Sequence, residues 1–313
     1  MESSEFNIIP YSPDYKEIWN KFVESSKNGT FLFNRNYLEY HSHRFRDNSY
    51  LFFKKGKLYS LFPASISGCT VTSHAGLTYG GLVMSEEATA EGILKVFSLL
   101  ATTLKSQNVD RLIYKAVPHI YHKLPAEEDL YALFRHNATL SVRNISCTIE
   151  MSDRIPITRL RRRSLSKARE KGIIVRETED FQGVWDIIAR NLQEKYGATP
   201  VHSAEELFKL KNLFPGNIKI YGAFINEIKV AAAVIYLTET VAHAQYIHAT
   251  KLGKDYGAVD ALVTYILDNI QQKYFDFGSS NEDGGRYLNE SLIHMKEGFG
   301  GRGICYDTYE ISL

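Results

Sequence analysis

The residues with the most evident chemistry fall into a few clusters. The densest is Thr158–Lys171, where seven basic residues meet a single acid, Glu170. Within it, Arg162 and Arg163 are candidates for phosphate contacts, because a planar guanidinium grips an oxyanion through two N–H groups. A solvated basic helix has the same composition. Asp276 follows the aromatic pair Tyr274-Phe275 and precedes Gly278, placing a carboxylate where a strand opens into a loop. There it either faces a cleft or caps the loop. Beyond it lie Ser279, Asn281, Glu282, Arg286 and Asn289, a segment too rich in hydrogen-bonding groups for a core. In the first half, His74 and Tyr79 border a loop containing Gly76, Gly80 and Gly81, and His119, Tyr121 and His122 follow Val117-Pro118. A histidine with an ordinary pKa near 6.5 can accept a proton at neutral pH, which makes His74 a candidate general base. A hydrogen-bonded structural histidine is the alternative.

Other chemistries are disfavoured. Cys69, Cys147 and Cys305 are far apart, odd in number and outside any CxxC pattern, so they read as small buried apolar residues. The ten histidines show no HExxH-like spacing, and no metal is expected. The formal net charge of +1 means that acids elsewhere offset the basic segment. Such a chain suits a phosphorylated ligand or one region of an RNA; a general nucleic-acid coat and a DNA partner are not expected.

The elements that must position these groups follow from patterning. With 313 residues, 44% hydrophobic and 23% charged, the chain suits two globular domains of about 150 residues each. No apolar run approaches the roughly 20 residues of a membrane span. The Met1–Glu5 start lacks a basic and an apolar signal region, so a cytoplasmic location is expected. The first half reads as a helix over Tyr15–Ser25, helical structure after Asn34 within Phe31–Phe45, and strands at Tyr50–Lys54, Leu58–Ile66 and Thr70–His74. A helix over Ala88–Leu104 and a strand over Arg111–Val117 follow. The second half repeats the order. Strands at Lys219–Phe224, Lys229–Leu237 and Val241–Thr250 precede a loop with Gly253 and Gly257, a helix carrying Val259, Leu262, Ile266 and Ile270, and a strand at Tyr274–Phe277. Between the halves, Ile145–Met151 reads as a strand and Thr158–Gly172 as a helix. The segment from Tyr196-Gly197 through Pro200-Val201-His202 reads as an inter-helix loop. Two copies of one α/β unit are expected, 1–151 and 152–313.

Three segments carry a family resemblance. Arg162–Ile173 resembles the "R..I.KA...G" opening of the second domain of FemAB-like proteins, Tyr274–Ser280 resembles their "YDFGG" strand and loop, and Leu292–Gly300 their "FK..FG" end. The resemblance implies an α/β (α+β) fold of two tandem GNAT-like acyl-CoA N-acyltransferase domains, each a mixed, mostly antiparallel sheet flanked by helices. It implies transfer of an acyl group from an activated donor, acyl-CoA by expectation, to an amine such as an amino sugar or cell-envelope precursor. The partners would be a small-molecule acyl donor and an amine acceptor.

On this reading the Lys251–Ala258 loop stands where a donor pyrophosphate meets a helix start. Lys254, Tyr256, Gly257, Ala258 and Asn289 are then expected to bind the donor. Tyr79, Gly80, Arg162, Arg163, Asp276, Ser279 and Asn281 are expected to bind substrate. Lys296 is expected to neutralise charge on the donor or the tetrahedral intermediate, with His74 removing the amine proton. The sequence departs from the usual acetyl-CoA signature, since Gly257 and Ala258 are adjacent, and no tyrosine precedes the C-terminal Gly298-Phe299. Two alternatives stand beside this reading. Aminoacyl-tRNA-dependent transfer to a peptidoglycan precursor is disfavoured by the single basic segment and the absence of a long helical arm. The other is a non-catalytic GNAT-like binding protein.

Overall fold

The computed structural model describes residues 5–196 and 202–313. The expected loop from Tyr196 to His202 therefore lies, at 197–201, outside the described residues. Two compact units divide the chain. The first holds the chain up to Asn144 with Asp283–Arg286 and Cys305–Leu313; the second holds Ile145–Glu282 and Tyr287–Ile304. The division thus falls inside a strand, earlier than the joint near Met151 read from sequence, and the last stretch of chain returns to the first unit.

Unit 1 begins with β1 (Phe6–Pro10), α1 (Lys16–Ser25), the four-residue α2 (Arg35–Leu38) and β2 (Arg46–Asp47). Then come β3 (Tyr50–Lys54), β4 (Lys57–Phe62), β5 (Ser65–Ser67), β6 (Thr70–Thr72) and β7 (Val83–Met84). The helix α3 (Ala90–Ser106), β8 (Arg111–Lys115) and α4 (Glu128–Arg135) lead into β9 (Thr139–Glu150). One sheet runs β1-β3-β4-β7, all antiparallel. In the other, β2, β5 and β6 pair antiparallel and β6 lies parallel to β8. The single strand expected over Leu58–Ile66 is split between the two sheets at Pro63, which has no N–H to donate to a ladder. The helix expected after Asn34 is short: Asn34 caps it at Asn36, and beyond Leu38 the rings of Tyr40, His41 and Phe45 pack on one another. Thr89 caps α3 at Gly92, and the stripe Ile93, Val96, Phe97, Leu100 and Leu104 buries into the core.

Unit 2 contains α5 (Arg159–Glu170), β10 (Ile174–Glu177), α6 (Phe181–Tyr196), α7 (Ala204–Leu213), β11 (Ile218–Ile225), β12 (Ile228–Leu237) and β13 (Val241–Ala249). It continues with α8 (Lys251–Asp255), α9 (Ala258–Asn269), β14 (Tyr274–Ser279), β15 (Asn281–Glu282), β16 (Tyr287–Leu288) and α10 (Glu290–Glu297); β17 (Arg302–Ser312) begins in unit 2 and belongs to unit 1 from Cys305 on. β10, β11, β12 and β13 form antiparallel neighbours, β14 lies parallel to β13, and β14 pairs antiparallel with Ser146–Glu150 of β9. Asn226 and Glu227, both at positive φ (45° and 62°), make the two-residue β11–β12 turn that matches strand twist. β12 is an almost unbroken apolar run buried from Val230 to Tyr236, as a central strand covered on both faces requires. The helix α5 is different: only Ala168 is buried, Thr158 caps its start and Gly172 ends it at φ 71°.

Each unit is therefore completed by a strand that the chain delivers from elsewhere. Unit 1 receives Thr308–Ser312 of β17, paired with β8, and Tyr306 and Ile311 are buried there. Deleting Cys305–Leu313 removes two large buried side chains, worth about 1.5–3 kcal/mol each, and bares the β8 edge. We expect the truncated protein to unfold at markedly lower urea concentration or to be insoluble. An unchanged urea midpoint would contradict this assignment of β17.

Candidate active site

β13 and β14 run together only over Val241–His243 and Tyr274–Asp276. Beyond that point β13 continues to Ala249 on β12, while β14 turns to pair its Ser279 with Ser146 of β9. Register shifts mark the parting: one lies in the β12–β13 pairing at Val234/Ile235, the other between Asp276 and Ser279. Extra residues of this kind bend strands and increase twist. Gly278, between them, sits at φ 76°, where a side chain is disfavoured. The result is a wedge between two strands, open on the side where β14 leaves β13.

His243 and Asp276 face each other at the vertex. His243 Nδ1 lies 2.7 Å from Asp276 Oδ2. Asp276 is fully buried, and its Oδ1 accepts from Thr148 Oγ1 at 2.8 Å and from Ser146 Oγ. Such donors compensate the cost of removing a carboxylate from water. With Nδ1–H given to the carboxylate, a neutral imidazole carries its lone pair on Nε2; the tautomer follows from the network. His243 keeps 13% of its side-chain surface exposed. Ala242, Ala244 and Ile247 enter the core, leaving His243, Tyr246 and His248 on the opposite face of β13. That face is anchored throughout: His202 Nδ1 meets Tyr246 Oη at 2.9 Å, and His248 Nδ1 meets Asn191 Oδ1 at 3.0 Å. A base with its imidazole oriented by a buried carboxylate is the arrangement that general-base catalysis needs.

Lys296 lies close by with a different task. It is 5% exposed, and Nζ donates to Gly278 O at 2.7 Å, Ser279 O at 2.8 Å and Ser280 Oγ at 2.9 Å. Burial lowers its pKa to about 8, opposed by the charge of Asp276. All three ammonium hydrogens are engaged, so Lys296 fastens the loop after β14 to α10. Lys296→Met should cost about 3–5 kcal/mol in urea unfolding, because it leaves buried acceptors unpaired. A loss below about 1 kcal/mol would show that the ammonium is not holding the loop. Cys147 is fully buried and its thiol is pushed up to about 12 by burial, which denies it a nucleophile's role. Cys69 and Cys305, expected to be buried, are exposed.

The remaining sequence candidates are placed as follows. Lys251–Asp255 is a short helix, α8, and leaves Lys254 exposed. Tyr256 lies beneath the Lys171 ammonium, 5.3 Å from its ring centroid. Gly257 caps α9 at φ 75° and is pressed against α5: a Cβ there would lie 2.4 Å from Ser164 O. Ala258 is buried. The first turn of α9 carries its own acid, Asp260, bonded by Ser164 Oγ at 2.8 Å and paired with Arg161 at 3.1 Å. The α9 start expected to cradle phosphate is thus covered by α5. Arg162 and Arg163 are exposed and, with Arg159, Lys167 and Arg169, have no ion-pair partner among the described residues. Asn289 caps α10 at Leu292 N (3.1 Å), Asn281 Oδ1 accepts Ile145 N–H at 2.7 Å, and Ser279 is exposed.

In unit 1, His74 is 2% exposed at φ 53°, ring to ring with His41 (5.3 Å) and Phe45 (5.8 Å), and its Nδ1 has no hydrogen-bond partner among the described residues. Burial lowers its pKa to about 3. A sealed, neutral imidazole cannot reach an amine, so His74 is structural. Tyr79, expected to bind substrate, is 2% exposed, donates to Thr30 Oγ1 at 3.1 Å and packs at a tilt against Tyr121, ring centroids 4.4 Å apart. Gly80 is glycine because a Cβ would lie 1.9 Å from Ser73 O. Sequence reading missed Ser146, Thr148 and His243. The available signal was a histidine set between the small residues Ala242 and Ala244 at the start of β13.

No family model and no curated protein matches the sequence. Among solved structures, FemX is similar over 98% of this chain and 97% of its own, with a TM-score of 0.69 and 10% identity. L-PGS from Bacillus licheniformis is similar over 95% of this chain and 91% of its own, with a TM-score of 0.62 and 11% identity. A tandem GNAT protein from the clavulanic acid biosynthesis pathway is similar over 98% of both chains, with a TM-score of 0.51 and 10% identity. At these identities the likeness is one of fold: the chain has the tandem GNAT-like, FemAB-like α/β fold, with mostly antiparallel sheets flanked by helices.

Proposed function

We propose that the chain is an N-acyltransferase whose reaction takes place in the wedge between β13 and β14. The observation that carries the proposal is the His243–Asp276 pair at the vertex of that wedge. The acceptor amine arrives beside His243, and its lone pair forms the C–N bond to the donor carbonyl as its proton passes to His243 Nε2. The tetrahedral intermediate collapses, the bond from carbon to the carrier breaks, and the imidazolium gives the proton to the leaving thiolate or alkoxide. Asp276, held by Ser146 and Thr148, fixes the imidazole and stabilises its charged form. Beyond His243 the edge of β13 that faces the wedge offers backbone groups to an extended donor arm.

The acceptor class we favour is a small amine, such as an amino sugar or envelope precursor, and the donor an acyl-CoA acting in the cytoplasm. One observation favours an aminoacyl-tRNA donor as the second reading: the α9 start is covered, whereas Arg159, Arg162, Arg163 and Lys167 stand unpaired on α5. FemX, L-PGS and the tandem GNAT protein share the fold on which either chemistry would run. The test is a ligand-induced melting shift with acyl-CoAs and aminoacylated tRNA, followed by carrier release on adding amines. Release of free thiol supports acyl-CoA, and transfer of a labelled amino acid supports tRNA. Donor binding with no transfer to any amine would overturn the enzyme reading in favour of a binding protein.

A further inference from the structure

The imidazole of His243 has a neighbour that brings no side chain to the wedge. Gly278 lies in the irregular stretch of β14 between Asp276 and Ser279, where the strand has left its pairing with β13. A Cβ built on Gly278 would meet His243 Cε1 at 3.4 Å, His243 Nε2 at 3.9 Å and Ala244 O at 4.0 Å. These are ordinary contact distances, so a methyl group would rest against the ring and the carbonyl without displacing either. Gly80 and Gly257 are different, since a Cβ at either would collide with backbone at 1.9 Å and 2.4 Å. At Gly278 nothing collides. What a side chain would take up there is the room beside the base.

The backbone around Gly278 is held on both sides. Gly278 O and Ser279 O accept from Lys296 Nζ at 2.7 Å and 2.8 Å, and Ser280 N–H donates to Ile145 O at 2.9 Å. Just before it, the buried Phe277 ring packs edge-on against Phe275 and tilted against Phe299, with centroids 4.8 Å and 5.7 Å apart. Moving Gly278 away from the imidazole would break buried hydrogen bonds, so the width of this gap is fixed. The positive φ of 76° does not by itself demand glycine, because asparagine also tolerates left-handed backbone. The open room beside His243 does demand it.

We propose that Gly278 determines acceptor specificity: the room it leaves beside His243 Nε2 admits a primary amine and excludes a secondary one. This rests on the reading of His243 as the base. An amine that gives one hydrogen to Nε2 has a second hydrogen to place, and Ala244 O accepts it from the same side of the ring. The amine's carbon then runs out past the Gly278 Cα. A secondary amine carries an alkyl group where that second hydrogen belongs. The alkyl group meets the carbonyl and leaves it unpaired, and sites built to bond an N–H reject analogues that lack it.

Carbethoxylation of the full chain with diethyl pyrocarbonate, mapped by mass spectrometry, tests the room without any acyl donor. Because Nδ1 faces Asp276, the reagent reacts at Nε2. His243 should be modified in the parent and about 10-fold more slowly in Gly278→Ala and Gly278→Asn. Asparagine suits the backbone, so Gly278→Asn guards against misfolding of the alanine variant, and melting curves check both. A glycine kept for its φ alone predicts the parental rate in Gly278→Asn. That rate, or a parent unmodified at His243, overturns the proposal. The acceptor class is tested with propylamine and N-methylpropylamine, using acetyl-CoA or, where that is the donor that binds, aminoacylated tRNA. Propylamine should be acylated at least about 100-fold faster, and equal rates overturn the proposal. Turnover that survives His243→Gln removes the base reading. Turnover lost in His243→Gln, with the two amines still equal in the parent, removes the role of Gly278 alone.

Discussion

His243→Gln will lower the turnover of amine acylation by about 10²–10⁴-fold and leave the melting temperature within a few degrees of the parent. Glutamine keeps a polar side chain at a partly exposed position but cannot shuttle a proton, so chemistry falls while folding does not. Asp276→Asn is the more searching variant. An amide nitrogen facing His243 Nδ1 cannot accept its hydrogen, so the imidazole proton shifts to Nε2 and the lone pair is turned away from the wedge. Activity should fall as far as in His243→Gln. Stability should also fall, by about 2–4 kcal/mol, because Ser146 and Thr148 lose their buried anion. Single-turnover rates and urea midpoints measured on the same preparations separate the two effects. Parental turnover in His243→Gln would remove His243 from the mechanism, whatever the donor proves to be.

Acidification should destabilise unit 1. His74 and His122 both have pKa values lowered by burial, to about 3 and about 4. His41, Arg35 and Lys115, the charged or chargeable groups acting on His74, all oppose its protonation, and none is an acid that would favour it. Below the ordinary histidine pKa of about 6.5, the unfolded chain binds protons that the folded chain refuses. Stability is therefore full above about pH 6.5 and declines as the pH falls towards 3–4. At pH 5 the two histidines together should cost about 4 kcal/mol relative to pH 8, from about 1.5 units each at 1.36 kcal/mol per unit. His74→Asn removes one titration and suits the left-handed backbone at this position, which asparagine tolerates. It should reduce the loss of stability between pH 8 and pH 5 by about 2 kcal/mol, read from melting curves across pH. A slope equal to the parent's would place the acid sensitivity elsewhere.

The duplication, the strand order of unit 2 and the ends of α5 were legible because they rest on local signals. Alternating or continuous apolar runs mark β11 to β14, Asn226-Glu227 marks a turn, and Thr158 and Gly172 bracket a helix. The site was less legible because it is made by register. Asp276 stood out in sequence, but its partner His243 lies on another strand, and nothing local states that Val241–His243 runs alongside Tyr274–Asp276. Ser146 and Thr148 join only because β9 pairs with β14 across more than a hundred positions of chain. His74 misled for a similar reason. A glycine-rich neighbourhood suggested an open loop, whereas the glycines are there to let buried rings and carbonyls approach closely. Sequence shows that close packing is permitted, without showing what is packed.

The route by which unit 1 obtains its last strand also sets a timetable for synthesis. β8 must wait for β17, and about 190 residues separate the two. At about 5–20 residues per second, that is about 10–40 s during which β8 presents an unpaired edge on the ribosome. The N-terminal half is thus among the first to be made and among the last to be finished, and its folding is gated by the completion of the second unit. A slowed ribosome late in the message would lengthen the interval in which this edge can pair with another nascent chain, so codon choice in the second half bears on the solubility of the first.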